Sequence, residues 1–205
     1  MEFNIAKKID NLIIDNQDEI LMHLEEKIEL IRENSMDFKL NPLKLLESFG
    51  IEFKKCDNLD NRYKTYFGCK DNMEPCICYN SNLELKELRF YIMSEIIYYF
   101  MFKYITENYL DEKDYIHLEN RVFHVTEFDN IEELLNSNSF INKTIRDKAF
   151  DAMVPSNIFI EFEHKKLGLR QLSSYFEVDE RIIDFYLKEI KKKKNKSKIR
   201  SLFNK

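Results

Sequence analysis

The stretch LRFYIMSEIIYYFMF, Leu88 to Phe102, is the most apolar run in the chain, and the rest of the chain must fold around it. Its apolar residues fall on nearly every side of a helix, which is typical of a helix buried in the centre of a domain. Glu95 lies near its middle, with Ser94 directly before it and Tyr98 three residues after it. A buried carboxylate costs free energy unless it has partners, so this position requires a chemical explanation.

The length and charge content of this run separate a soluble helix from a membrane span. Residues 88–105 approach the lower limit of length for crossing a bilayer, but they include Arg89, Glu95 and Lys103. A carboxylate in mid-span is costly in lipid. We therefore expect the central helix of a soluble domain and no membrane partner. The N-terminal residues MEFNIAKKID contain no apolar core of a secretion signal, which predicts a cytoplasmic protein.

Composition favours a helix-rich domain. The chain has 205 residues, of which 44% are apolar, with only three glycines and three prolines. Few helix breakers argue against sandwiches and barrels. The cysteines, Cys56, Cys69, Cys76 and Cys78, are expected to be reduced thiols. Their spacing differs from the C-x2-C pairs that zinc ribbons favour, so we interpret Cys76 and Cys78 as small buried residues of a strand.

Periodicity places the remaining elements around the central helix. Residues 2–33 predict one long amphipathic helix, or two helices that meet near Asn16, and a short helix is predicted over Pro42 to Phe49. A strand at 51–55 and a β-hairpin at 62–80 precede the central helix, predicted over 83–108 with Ser81 or Asn82 as its cap. Residues 115–128 predict a second hairpin, or one strand and a loop. Helices are predicted over 130–136, 140–154 and 156–168, and then as a helix-turn-helix pair over 169–194.

These elements predict an α+β fold that is mostly helical, with a small sheet against the central helix. We divide the chain into an N-terminal helical extension (1–38), a main domain (39–190) and a basic tail (191–205). Residues 188–205 carry nine lysines or arginines and one glutamate, a net charge of +8 on a chain whose total is −5. Such a tail is either a solvated helix end or a surface for nucleic acid or an acidic partner.

The string SEIIY, Ser94 to Tyr98, has the layout of a metallopeptidase motif. In H-E-x-x-H two histidines one helical turn apart bind zinc, and the glutamate between them activates the metal-bound water. Here the glutamate is present, and serine and tyrosine stand where the histidines would be.

The flanking order resembles the ImmA/IrrE family of small bacterial metallopeptidases. The segment ICYNSNLELKELRFYIMSEIIYYFM is similar to the family's strand, Arg-Phe pair and H-E-x-x-H helix. The segments NPLKLLESFGIEF, KAFDAMVPSNIF and LRQLSSYFEVDERIIDFYL are similar to the family's opening helix, its helix ending in Met-Pro, and its C-terminal helix pair. The resemblance covers roughly residues 40–190 and implies a zincin-like domain with a former active-site helix.

This resemblance also implies that the metal site is lost. The family's third zinc ligand is a glutamate, and its slot falls near Thr144, with Asn142 two residues earlier. Ser94, Tyr98 and Thr144 would then fill the ligand positions, and neutral hydroxyls are poor zinc ligands. We therefore predict no metal and no cofactor, with Glu95 as a vestigial general base. The structural alternative is a Glu95 that is simply hydrogen-bonded at the edge of the core.

The implied function is that of an inactive metallopeptidase that binds a protein partner. Family members act on helix-turn-helix repressors of mobile elements or stress regulons, so the partner would be such a repressor. In the family the bound chain lies across the active-site helix beside an exposed strand edge, which we expect here to come from the hairpin at 62–80. The partner-binding candidates are Glu95, Tyr98, Tyr66 and Cys78.

Two other readings remain. The segment QLSSYFEVDERIIDFYL fits a loose helix-turn-helix pattern next to the basic tail, which would make the protein a DNA-binding regulator. The second helix, however, carries acidic side chains that would repel the DNA phosphates: Asp179, Glu180 and Asp184. The third reading is an active metallopeptidase with a non-standard ligand set, such as Glu95, Asp147 and His124.

Overall fold

The computed structural model describes residues 4–33, 40–57, 59–127, 131–155 and 167–203. The helices and strands, in chain order, are α1 Ile5–Asp15, α2 Gln17–Glu33, α3 Pro42–Ser48, β1 Glu52–Cys56, β2 Tyr63–Cys69, β3 Pro75–Asn80, α4 Leu85–Tyr109, α5 Glu112–Tyr115, β4 Arg121–Glu127, α6 Ile131–Asn136, α7 Phe140–Met153, α8 Leu169–Phe176 and α9 Glu180–Phe203. The fold is α+β and mostly helical, with a small mixed sheet, as the sequence predicts.

Helix α4 is the centre of the molecule. Every residue from Leu88 to Phe102 on it is buried, Glu95 included. The sheet, α1, α2, α3 and α7 all contact it. Its uniform apolarity therefore reflects neighbours on every side. No helix in the described part of the chain is long and apolar enough to cross a membrane.

The sheet has the order β1-β3-β2-β4. The hairpin of β2 and β3 is antiparallel, β1 joins β3 in parallel, and β4 joins β2 antiparallel. The hairpin strands are thus paired on both sides. Our expectation that the hairpin would supply a free edge is wrong, because two strands distant in sequence cover it; among the described strands the edges are β1 and β4. Residues 115–128 contain one strand, β4, and no second hairpin within the described residues.

Local signals account for most helix ends. Asn41 accepts a hydrogen bond from the backbone of Leu43, and Pro42 opens α3, as Asn-Pro predicts. Residues 4–33 form two helices that meet at Asn16, whose side chain bonds back to Leu12. The predicted caps of α4 are wrong: the cap position is Glu84, without a side-chain bond. The predicted helix over 156–168 lies almost wholly outside the described residues.

The N-terminal extension packs as part of the same core. Ile5, Ile9 and Ile13 of α1 are fully buried, and α1 contacts both α4 and α7. Lys8 of α1 pairs with Asp114, whose carboxylate also caps the backbone at Asp111. Asp10, a polar residue between Ile9 and Ile13, thereby lies next to the sheet and α4.

Candidate functional site

Glu95 lies on the side of α4 that faces the sheet, and its carboxylate is fully buried. The hydroxyls of Thr65 and Thr126 donate to Oε1 at 2.8 and 2.9 Å. Nδ1 of His124 lies 2.8 Å from Oε2. Both oxygens are therefore occupied, which offsets the cost of burying this carboxylate in an apolar helix.

The strand register explains why these partners meet Glu95. Thr65 on β2 lies opposite Thr126 on β4, and Phe67 lies opposite His124. Alternate residues of a strand share a face, so Thr65, Thr126 and His124 all point towards α4. Thr65 and Thr126 are almost fully buried, and the side chain of His124 is 12% exposed. His124 is thus the most exposed of the three residues that bond to Glu95.

Tyr98 lies one turn after Glu95 and closes the cluster from the α1 side. Its hydroxyl lies 3.3 Å from Oδ1 of Asp10 and 3.3 Å from the carbonyl oxygen of Phe123. Its ring stacks on the imidazole of His124, with centroids 4.6 Å apart. Tyr98 is fully buried. The ring holds His124 between the tyrosine face and the Glu95 carboxylate.

The charges of the cluster act on one another. Burial by itself would lower the pKa of His124, but Glu95, a hydrogen bond with Asn142 and the charge of Asp10 together raise it above its ordinary value. Burial raises the pKa of Asp10, although its bond with Tyr98 and the nearby His124 act in the opposite direction. His124 therefore holds a proton more tightly than a free histidine does.

A groove of about 360 Å³ leads from solvent to His124. Its walls are Asp10 and Ile14 of α1, residues 123–125 of β4 and the start of α7, residues 139–142. We call it the β4 groove. Ile14 and Val125 leave large apolar surface exposed on its walls. Asp10, His124 and Asn142 supply its polar groups.

The other predicted site residues lie in different places. Ser94 donates its hydroxyl to the carbonyl oxygen of Phe90 within α4 and is buried. Thr144 is buried on α7 and does not line the β4 groove; Asn142, two residues earlier, does. Asp147 is paired with Lys143 and Arg146, away from Glu95.

Tyr66 and Cys78 are paired across β2 and β3 on the face of the sheet that points away from α4. The hydroxyl of Tyr66 lies 3.4 Å from Sγ of Cys56. Cys78 is 5% exposed, and its hydrogen bond with the Cys76 thiol, together with burial, raises its pKa. Neither of these two partner-binding candidates lines the β4 groove.

Sequence reasoning did not identify three members of the cluster: Asp10, Thr65 and Thr126. Asp10 has a detectable signal, because it interrupts the apolar face of α1 beside Ile9. Thr65 and Thr126 have none, because their common partner depends on a strand pairing between residues about sixty positions apart.

The residues present do not fit a catalytic zinc ion. Within the described residues no three histidine, cysteine or acidic side chains are grouped so that they could hold a metal. His124 is the only imidazole of the cluster, and the hydroxyls of Ser94 and Tyr98 already have protein partners. Glu95 has both oxygens occupied and no exposed surface, so it has no room for a water to activate.

The groove also lacks an activated nucleophile among the described residues. The Ser139 hydroxyl accepts a hydrogen bond from the backbone of Asn142 and caps α7. An imidazole–carboxylate pair can transfer protons, but acyl transfer also requires a nucleophile within its reach. The groove presents a hydrogen-bonding imidazole, an amide, a carboxylate and exposed apolar surface.

Comparison with protein-family models, with curated proteins and with solved structures found no match to this chain.

Proposed function

We propose that this protein is a non-catalytic relative of the ImmA/IrrE metallopeptidases that binds an extended segment of a partner protein in the β4 groove. The observation that supports the proposal is the environment of Glu95. The carboxylate at the former base position is buried and bonded by Thr65, Thr126 and His124, so it stabilises the core and holds the groove's imidazole in place.

The free edge of β4 supplies the binding mode. β4 is paired with β2 on one side, and no described strand covers the other. An extended peptide can add to such an edge through main-chain hydrogen bonds, while neighbouring pockets select its side chains. Ile14 and Val125 would contact apolar side chains of the peptide, and His124 and Asp10 would hydrogen-bond to its polar groups.

The partner class follows from the resemblance. By analogy with the family, it is a helix-turn-helix repressor of a mobile element or stress regulon, bound without being cut. DNA binding through α8 and α9 is less well supported, because the start of α9 is occupied by internal ion pairs. Arg181 bonds to Glu87 and Asp179, and Lys188 pairs with Asp184.

The test is site-specific photo-crosslinking in the source cell, with the photoreactive residue at Val125. We expect one crosslinked partner, recovered at full length by mass spectrometry, and purified protein without stoichiometric zinc. The Ile14→Glu variant should lose the crosslink. Met22→Glu is the matched control, because Met22 is also an exposed apolar residue, on α2 and outside the groove.

Three outcomes would contradict the proposal. The first is a partner recovered as cleaved fragments. The second is stoichiometric zinc that disappears on His124→Ala. The third is equal crosslinking by the Ile14→Glu and Met22→Glu variants when both are folded by circular dichroism.

A further inference from the structure

A second cavity lies on another side of α4, between α2, α3 and α4. Its volume is about 420 Å³, within the range of small-molecule sites. We call it the α2–α3–α4 groove. It shares no residue with the β4 groove, so nothing in the proposed function accounts for it.

One end of this groove is apolar. Phe49, which follows the last residue of α3, packs edge-on against Phe100 of α4, with centroids 5.1 Å apart. Ile31 and Leu45 complete this end, and Leu30 at its rim leaves 49% of its surface exposed. An occupant would therefore remove apolar surface from water, which favours binding.

The other end is polar and carries a net positive charge. Lys27 of α2 and Lys103 of α4 line it with His23 and Glu107. Lys103 pairs with Glu107 at 3.8 Å. Lys27 has no carboxylate within ion-pair distance among the described residues. Burial, with the nearby charge of Lys27, lowers the pKa of His23.

The two helices run in opposite directions, so the polar residues meet at one end and the apolar residues at the other. His23 stacks near Tyr104, with centroids 4.8 Å apart, which aligns the start of α2 with the later part of α4. Leu30 and Ile31, later on α2, then lie towards the part of α4 that precedes Tyr104. Along α2 the lining residues from His23 to Ile31 span about 12 Å, which bounds the length of an occupant, head included.

We propose that the α2–α3–α4 groove binds a small amphipathic anion, with its carboxylate at Lys27 and its unbranched apolar tail against Leu30, Phe49 and Phe100. Lys27 supplies an unneutralised cation where the head lies. The exposed side chain of Leu30, at the rim, packs against the tail. The gradient from charge to aromatic surface sets the orientation of the ligand.

The test is isothermal titration calorimetry of the full chain with decanoate, decylammonium, decan-1-ol and acetate, all below the micelle-forming concentration. We expect decanoate to bind with a stoichiometry of one. Decylammonium should bind about tenfold more weakly or not at all, because its head carries the same charge as Lys27. Acetate should not bind, because it has no tail. Nuclear magnetic resonance should show a higher pKa of His23 when decanoate is bound.

Variants locate the site. Lys27→Glu should weaken decanoate binding about tenfold, whereas Lys7→Glu, the same charge change at an exposed position of α1, should leave it unchanged. Leu45→Trp should weaken decanoate and decan-1-ol alike, because it fills the apolar end. Circular dichroism checks that each variant is folded.

The proposal is overturned if decanoate does not bind. It is also overturned if decylammonium binds as tightly as decanoate, or if Lys27→Glu and Lys7→Glu bind decanoate equally. Binding by Leu45→Trp at the parent affinity would place the ligand elsewhere.

Discussion

Replacing Glu95 with glutamine or alanine should destabilise the protein, and the sign of this effect separates a structural carboxylate from a catalytic one. Catalytic groups are commonly held at a cost in stability, so removing them leaves stability unchanged or raises it. Glu95 instead accepts hydrogen bonds from Thr65 and Thr126 and pairs with His124, and it has no exposed surface. Removing it leaves these polar groups without their acceptor.

The magnitudes follow from these contacts. Glu95→Gln keeps an oxygen for the two threonines but places an amide against Nδ1 of His124 and buries an unpaired N–H. One charge-assisted bond and one unsatisfied donor together amount to about 3 kcal/mol. Glu95→Ala removes all three bonds, at about 4 kcal/mol. A domain of this size has a total stability of about 5 to 15 kcal/mol, so the glutamine variant is the safer measurement.

The assay is urea unfolding followed by far-ultraviolet circular dichroism, with linear extrapolation to water. The matched control is Glu107→Gln, an exposed glutamate on the same helix, expected to change stability by less than about 0.5 kcal/mol. A Glu95→Gln variant as stable as the parent, or more stable, would refute the structural role that we assign to this carboxylate.

Four further outcomes are expected. Because the pKa of His124 is raised on folding, its contribution to stability is complete below about pH 6.5 and is lost as pH rises through the folded pKa. Between pH 6 and pH 8.5, the free energy of unfolding measured in urea should therefore fall more for the parent than for His124→Gln. Cys76, whose pKa is lowered to about 7, contributes in the opposite direction, but it does so in both proteins and drops out of the comparison. An equal fall in the parent and in His124→Gln would contradict the prediction. Tyr98→Phe should cost about 1 to 2 kcal/mol, because a hydroxyl with two acceptors is lost from a buried site; calorimetric melting measures this, and an unchanged melting temperature would count against it. Gly68→Ala should lower stability by about 1 to 3 kcal/mol, since the added Cβ would lie 2.5 Å from the Arg121 carbonyl oxygen; a variant as stable as the parent by urea unfolding would show that β4 shifts freely. Gel shifts with a salt titration should show no sequence-specific DNA complex, and a specific complex at 150 mM salt would favour the helix-turn-helix interpretation.

The central helix could be predicted from sequence because its signal is local and redundant. Every turn from Leu88 to Phe102 is apolar, and any fold that buries this helix must surround it. The short helix opened by Pro42 and the hairpin strands have equally local signals. These features depend on residues within a few positions of one another.

The site could be predicted only in part, because its members meet through pairings between distant residues. Glu95 is conspicuous on its helix, but its partners come from β2 and β4, which join in a register that no local pattern encodes. Because β4 pairs with β2, the edge of the sheet on that side is β4 and not the hairpin that the sequence predicted. The sequence of β1, five residues long, likewise does not indicate that this strand pairs with β3 in parallel.

The two edges of the sheet also differ in chemistry, and this difference bears on how the purified protein behaves when concentrated. β1 carries charges that form ion pairs, Lys54 with Glu52 and Lys55 with Asp57, and such side chains discourage one sheet from adding to another. β4 exposes Val122 and Val125 between its charged ends. In the absence of a partner, we expect self-association to begin at β4, with two copies pairing strand to strand and each closing the other's groove.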